Sequence, residues 1–400
     1  MEIFIIILSI LIGIILGMIT GITPGIHINL VASIIVAYSY YILKILDPIN
    51  IVIIITSMAI THTILDIIPS TLLGIANSEN LTMLMPAHKL TIEGKSKLAI
   101  QYGFIGSALG ILATSLIIPI IIFTIPFIYS NIKNYIPYIL IIICMYIILK
   151  SKNKLLSIVF FISTGIIGII SFNIKTINQP LLPLLSGIFG LSSLILGIKN
   201  NVKIPEQKDV KIEVSNKELV KFSLMTTLSS LLTNFLPGLT SSYTSLISTK
   251  LNKIKDQNHH IIISNIAGSS ATIISFVAFY SINKARSGAV ATIQYLITSI
   301  NITTLILVIS VSLITLSIST FIAIKLTNKI IKKANKINYQ KLSILIMILI
   351  IILVLIITKL EGLVILITAT SIGILADKLN LEKIFLTGCL VLPVILYSLL

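Results

Sequence analysis

Two apolar runs of membrane-spanning length in this chain are broken in the same way, and that repeated break limits what it can become. From Ile3 to Ile22 the chain reads as a membrane helix, since about 20 apolar residues span a hydrocarbon core of roughly 30 Å. Gly21-Ile-Thr-Pro-Gly-Ile-His-Ile-Asn29 then interrupts it, and Leu30–Leu43 resumes the apolar run. Pro24 removes a backbone donor and Gly25 frees the backbone, while His27 and Asn29 bring polar groups that lipid does not tolerate. A second version of the break is Asn234-Phe-Leu-Pro-Gly-Leu-Thr-Ser-Ser-Tyr243. Broken backbone survives at membrane depth only where protein or a water-filled cavity satisfies it. Interrupted elements at corresponding places in two halves point to a transporter binding site.

Composition supports a polytopic membrane protein. Of 400 residues, 56% are hydrophobic and 10% charged, and spanning runs recur from end to end. The longest polar stretch, Lys199–Lys221, is a linker, so no soluble domain is expected. The opening Met-Glu lacks a basic n-region and a small-residue cleavage site, so the first helix reads as a retained span. Cys144 and Cys389 lie alone in apolar runs, as membrane-facing or packing residues. The net charge of +16 has no basic domain or interleaved aromatic surface to go with it, which argues against nucleic acid.

Beyond the first hairpin, Ile49–Ile68 reads as a span carrying Thr61, His62 and Asp66. The stretch from Pro69 to about Pro86, with Asn77, Ser78, Glu79 and Asn80, is too polar for a lipid-facing helix and reads as a second re-entrant element. Spans follow at Leu98–Phe123, Tyr135–Leu149, Leu155–Phe172 and Leu182–Ile198. The second half has its hairpin at Pro237-Gly238, a span at Ile261–Ile282, a polar break at Asn283-Lys-Ala-Arg-Ser-Gly288, and a short arm to Ile300. Spans at Ile302–Ile324, Leu342–Thr358, Gly362–Ala376 and Ile384–Leu400 complete it.

The expected fold is all-α, with two repeats, 1–198 and 219–400, joined by a cytoplasmic linker at 199–218. Each repeat has a Pro-Gly-broken hairpin, a re-entrant element and about five full crossings. An odd number of crossings inverts the second repeat relative to the first. On this topology 23 of the 29 basic residues fall on one side. The positive-inside rule makes that side cytoplasmic and puts both termini outside. The lysines at Lys325–Lys341 then face anionic lipid headgroups.

At the two Pro-Gly motifs the chain resembles the large membrane subunit of tripartite tricarboxylate transporters, the TctA family, and its stand-alone archaeal relatives. Gly17-Met-Ile-Thr-Gly-Ile-Thr-Pro-Gly25 matches that family's Gly-x-x-x-Gly-x-x-Pro-Gly stretch, and His27-Ile-Asn29 resembles the archaeal branch. Leu73–Asn80 and Pro86–Lys95 follow the family's order, Leu236-Pro-Gly-Leu239 resembles its second Pro-Gly, and Asn265 falls near its asparagine-rich stretch. The chain departs from the pattern at Asn283–Gly288, where the family often has Gly-Ile-Pro-Gly-Ser, and at Ser264, where an acidic residue is usual. The resemblance implies a secondary carrier. It leaves room for an extracytoplasmic binding protein, and a homodimer is also open.

The candidate substrate site consists of Pro24, Gly25, His27, Asn29, Asn77, Ser78, Pro237, Gly238, Thr240, Ser241, Ser242, Tyr243, Asn265 and Arg286. Each break exposes a half-helix N-terminus whose free amides and dipole favour an anion, and hydroxyls and amides add donors. Against this stands the ordinary reading of a proline kink as structural. His27, His62 and Asp66 are the coupling-ion candidates, an intramembrane ionisable group being a functional suspect. His62 and Asp66 share a helix face at i and i+4, which fits a structural buried pair or a proton relay. Lys284 and Arg286 fit an anion attractor or an interfacial anchor. His259 and His260 read as solvated.

The expected function is a secondary transporter of a small organic anion, a carboxylate, coupled to H+ or Na+ and needing no cofactor. The alternative is a translocase for a polyprenyl-phosphate or other anionic lipid carrier in the cell membrane. An intramembrane enzyme on His62 and Asp66 would need a further nucleophile or ligand, and the sequence shows none.

Overall fold

The computed structural model describes residues 2–23, 28–74, 81–177, 179–199, 205–234, 236–254, 256–332 and 339–399, and among these every regular element is helical. The first elements are α1 (Glu2–Ile22), α2 (Ile28–Ala37), α3 (Ser39–Ile42), α4 (Pro48–Leu65), α5 (Ile67–Leu73) and α6 (Leu81–Ile92). They are followed by α7 (Ser96–Ile132), α8 (Ile136–Leu149), α9 (Lys154–Asn173), α10 (Leu181–Leu185) and, after a π turn at Ser186–Leu191, α11 (Ser192–Lys199). Beyond the linker come α12 (Asn216–Asn234), α13 (Ser241–Leu251), α14 (Gln257–Ile282) and α15 (Gly288–Leu296). The chain ends with α16 (Ile302–Ile331), α17 (Tyr339–Lys378) and α18 (Gly388–Leu399).

The helices start where the sequence supplies caps. Asn153, Ser287 and Asn301 each accept from the amide three residues on, at 3.2, 3.3 and 2.8 Å. Ser215 and Glu218 form a reciprocal capping box at α12, the Ser215 amide donating to Glu218 Oε2 at 3.0 Å.

Among the described residues, eight helical stretches are long and apolar enough to cross a membrane. Two of them, Ser96–Leu149 with 54 residues and Gln340–Lys378 with 39, are long enough to cross twice. The spans expected at Leu342–Thr358 and Gly362–Ala376 are the two helical arms of α17, which meet at Lys359, whose φ of 57° and ψ of −155° lie outside helical geometry. The element expected to end near Pro86 continues as helix to Ile92, with Pro86 inside it.

Burial divides the spans. In the most apolar 18-residue part of each, 89% of the residues are buried in Pro48–Leu73 and 83% in Asn258–Ile282, but only 28% in Gln340–Lys378. A helix apolar all round is either core or lipid-facing. Here α4, α5 and α14 are the core, and α17 turns Ile348, Ile352 and Ile356 outward.

Small residues set the helix directions. Gly13 faces Ile54 and Ser57, Gly17 faces Met58 and Thr61, and Gly21 faces His62 and Leu65, so α1 and α4 run parallel. The chain between them therefore returns to its starting side. The α4–α16 pair is also parallel, with Thr315 donating to Ser57 at 3.2 Å and Thr61 bonded to Ser319 at 2.8 Å. So is the α7–α14 pair: Gly106 faces Ile262 and Asn265, and Gly110 faces Ile266 and Ser269. Hydroxyls bonding across such close contacts are the usual glue of membrane helices.

From residue 205 on, the linker is anchored. Lys208 N donates to Gly94 O at 2.7 Å, Gln207 Oε1 accepts from the first amide of α7 at 2.8 Å, and Lys97 pairs with Asp209 at 2.6 Å. Two sequence readings sharpen here. Cys144 and Cys389 are both buried, so they pack. His259 and His260 are not freely solvated: His259 packs 5.2 Å from the Phe222 ring, and His260 Nδ1 lies 3.4 Å from Thr249 Oγ1.

Candidate functional site

The second Pro-Gly break closes a tight helical hairpin. Thr226 bonds Ser248 at 2.6 Å and Thr233 bonds Thr244, so α12 and α13 run antiparallel. Gly238 adopts a φ of 87° at the turn, where a side chain would be strained. It packs against Leu390 and Val391 of α18. Beyond it Thr240 caps α13 with extended backbone, and its buried Oγ1 has no hydrogen-bond partner. A Cβ placed on Gly268 would lie 4.0 Å from Ser241 Oγ. The break therefore sits beside the middle of α14, about 16 Å along that helix from its start at 1.5 Å per residue.

The break after α14 also turns inward. Asn283 ends the helix in left-handed geometry, φ 52°. Arg286 N then donates to Ser275 Oγ at 3.1 Å, which carries the chain about 10 Å back along α14. From there α15 rises until Gln294 Oε1 accepts from Ala285 N at 3.3 Å and Gln294 Nε2 donates to Asn283 O at 3.0 Å. The N-terminus of α15 thus lies inside and its C-terminus lies near the end of α14.

In the first half α6 behaves comparably. Met83 Sδ accepts from Asn265 Nδ2 at 2.8 Å, and Asn265 also touches Gly103 and Gly106 of α7. Since a short turn joins α6 to α7, α6 runs antiparallel to α7 and starts deep in the protein. Its far end is held by Thr91 Oγ1 donating to Thr71 O at 3.0 Å, and the His88 ring lies against Gly74, whose φ is 63°. Three helix N-termini, those of α6, α13 and α15, accordingly open along α14 between Asn265 and Ser275. Such termini present free amides and a positive dipole end.

The structure brings Asn265, Ser241 and Arg286 to this stretch of α14. It turns others away. Tyr243 is fully buried, and its hydroxyl is bonded to Thr387 Oγ1 at 2.6 Å. Ser242 is buried, and Pro237 is half-buried at the turn. His62 is 8% exposed at the end of α4, with Asp66 one turn on and half-buried at the α4–α5 junction. Pro24, Gly25, His27, Asn77 and Ser78 lie outside the described residues, as do Glu79 and Asn80; of Asn29 only its place at the start of α2 is described.

Arg286 is the main electrostatic feature. Its guanidinium lies 5.6 Å from the centroid of the Tyr129 ring, and its Nε and Nη2 are buried without a hydrogen-bond partner. Tyr129, an aromatic near the end of α7, meets Arg286 only in three dimensions and carries no signal in the sequence. Gln294, which closes the re-entrant loop, was legible only as a lone amide in an apolar arm.

The family model described as the tripartite tricarboxylate transporter TctA family matches residues 7–388. An uncharacterized protein of Methanocaldococcus jannaschii is 32% identical over 376 residues, covering 91% of this chain and 93% of that protein. No solved structure matches the chain.

Proposed function

Because the chain belongs to the tripartite tricarboxylate transporter TctA family and is a multi-pass membrane transport protein, we propose that it is a secondary carrier of a small organic anion, a carboxylate. The observation that supports this most is the meeting of three helix N-termini along one stretch of the buried helix α14, with a guanidinium at one of them. Amides, dipole and fixed positive charge at membrane depth all favour an anion.

Transport would proceed by alternating access between inverted repeats, 1–198 and 219–400, with 199–218 as linker. The order of long and short helices in α1–α11 recurs in α12–α18. The tight pairs agree with such a repeat: exchanging the halves turns the parallel pair α4–α16 into the parallel pair α14–α7. It likewise turns α9–α18, where Gly388 meets Phe161 and Tyr397 bonds Asn173 at 2.7 Å, into the later arm of α17 against α10 and α11. The lysine asymmetry then places the basic loops and linker in the cytoplasm. Coupling falls to H+ or Na+, with His27, His62 and Asp66 as candidates. The family's tripartite name motivates an extracytoplasmic binding protein as partner.

The test is uptake of labelled mono-, di- and tricarboxylates into proteoliposomes under imposed H+ and Na+ gradients. Gradient-driven uptake that is lost in His27→Ala supports the carrier and its coupling at the first break. A second reading, translocation of a polyprenyl phosphate, draws on an open apolar groove of about 580 Å³ between α7 and α16, lined by Leu112, Leu316, Phe321 and Ile324. Active protein that moves a lipid phosphate and no soluble anion would replace the carrier by this reading.

A further inference from the structure

Arg286 is the only arginine in the chain, the other 28 of its 29 basic residues being lysines. A need for charge alone would be met by lysine, as it is everywhere else in this sequence. What arginine adds is a planar fork of fixed N–H directions. Nε–H and the neighbouring Nη2–H form one edge of that fork and point the same way, matching the two oxygens of a carboxylate. These are the two nitrogens that are buried without a partner. The backbone is fixed as well, since Arg286 N is bonded to Ser275 Oγ at 3.1 Å and Ser287 Oγ caps α15. On the guanidinium's flank lies Tyr129, its ring centroid 5.6 Å from the central carbon, at cation–π range.

We propose that the Nε/Nη2 edge of Arg286 is a bidentate receptor for a single carboxylate group of the substrate, and that Tyr129 is a positioning residue holding the guanidinium. This rests on the carrier reading for the identity of its ligand and adds how the ligand is held. One fork neutralises one carboxylate, and the nearby Lys284 is exposed. A monocarboxylate therefore suffices to occupy the receptor.

The single arginine makes the test direct. Purified full-length protein in nanodiscs is treated with phenylglyoxal, and modification of Arg286 is followed by mass spectrometry with acetate, succinate, citrate, inorganic phosphate or chloride present. Carboxylates are expected to slow modification at least tenfold more than chloride does. In parallel, carboxylate binding by calorimetry is expected to fall about 10–100-fold in Arg286→Lys, the loss of a charged hydrogen bond or two. Tyr129→Phe keeps the ring face but loses the hydroxyl that bonds the guanidinium, so it should bind less tightly than wild type, and Tyr129→Leu, which loses both, should bind several-fold more weakly. Tyr129→Leu should add nothing in the Arg286→Lys background, because a positioning residue acts only through the group it positions. Equal modification with and without carboxylate, or wild-type binding by Arg286→Lys, overturns the receptor. Protection by phosphate alone overturns the carboxylate assignment, and additive losses in the double variant overturn the role of Tyr129. If binding behaves as expected but no gradient drives uptake, the receptor stands and the carrier reading falls. If wild type and Arg286→Lys transport equally, the reverse holds.

Discussion

The short helices α6 and α15 each follow a break that ends a buried helix, and each starts inside the protein, yet their polar groups are settled differently. At α6 the bonds made by the described residues are internal. Thr91 Oγ1 donates to Thr71 O and to Ala87 O, Gln207 Nε2 reaches Thr91 O at 3.3 Å, and Asn265 donates to Met83 Sδ. At α15 Gln294 and Ser275 close the loop, but the Arg286 fork keeps two buried donors. A buried donor without a partner costs free energy, and among the described residues Arg286 is the one side chain with two such atoms. The comparison separates a joint, where the bonds are internal, from a receptor, where they are held for something else.

The sharpest way to break that contrast is to exchange the charge without the fork. Arg286→Lys should lower uptake about 10–100-fold, with helix content and thermal unfolding close to wild type. A variant that unfolds instead would make Arg286 part of the joint. The next largest effect should come from Gly106→Val, which drives a side chain into Ile262 and Asn265. Overpacking of this kind costs about 1–3 kcal/mol. Because Asn265 also seats Met83, hydrogen exchange should rise in α6 before it rises in α15.

Thr91→Val removes the hydroxyl bonded to Thr71 O, an expected loss of about 1 kcal/mol in unfolding measurements, with carboxylate affinity unchanged. A fall in affinity comparable to that of Arg286→Lys would show that α6 is more than a joint. The smallest effect lies outside both helices. The Ser215 amide and hydroxyl hold the Glu218 carboxyl below its usual range. Its contribution is therefore complete above the unfolded value of about 4.3 and is lost as pH falls through the lower folded value. Exchange of the Ser215 and Glu218 amides, corrected for intrinsic rates, should show protection at about pH 6 that fades towards about pH 3, and Glu218→Gln should weaken it at both.

Much of the fold was legible because lipid imposes one-dimensional rules. A spanning helix must be apolar for its whole length, so Ile3–Ile22 and Ile302–Ile324 declare themselves. A break such as Leu236-Pro-Gly-Leu239 declares itself by violating the same rule. The boundaries were less legible. Pro86 does not stop α6, because a membrane helix tolerates proline where neighbours can satisfy the freed backbone group. The site was legible only as a set of suspects. Tyr243 and Ser241 offer similar donors in the sequence, and only the structure shows that Tyr243 bonds Thr387 and that Ser241 lies beside Gly268.

By itself the sequence determined the class of the protein, its family, and the break at Pro237-Gly238. These follow from the cost of exposing polar backbone to lipid, which acts along the chain. Only the tertiary structure decided which breaks meet on α14, that the linker binds the α6–α7 turn, and that Arg286 lies against Tyr129 with one edge of its fork unpaired. Those are questions of which partners reach each group. That depends on helices far apart in the sequence, where glycines let their backbones come close.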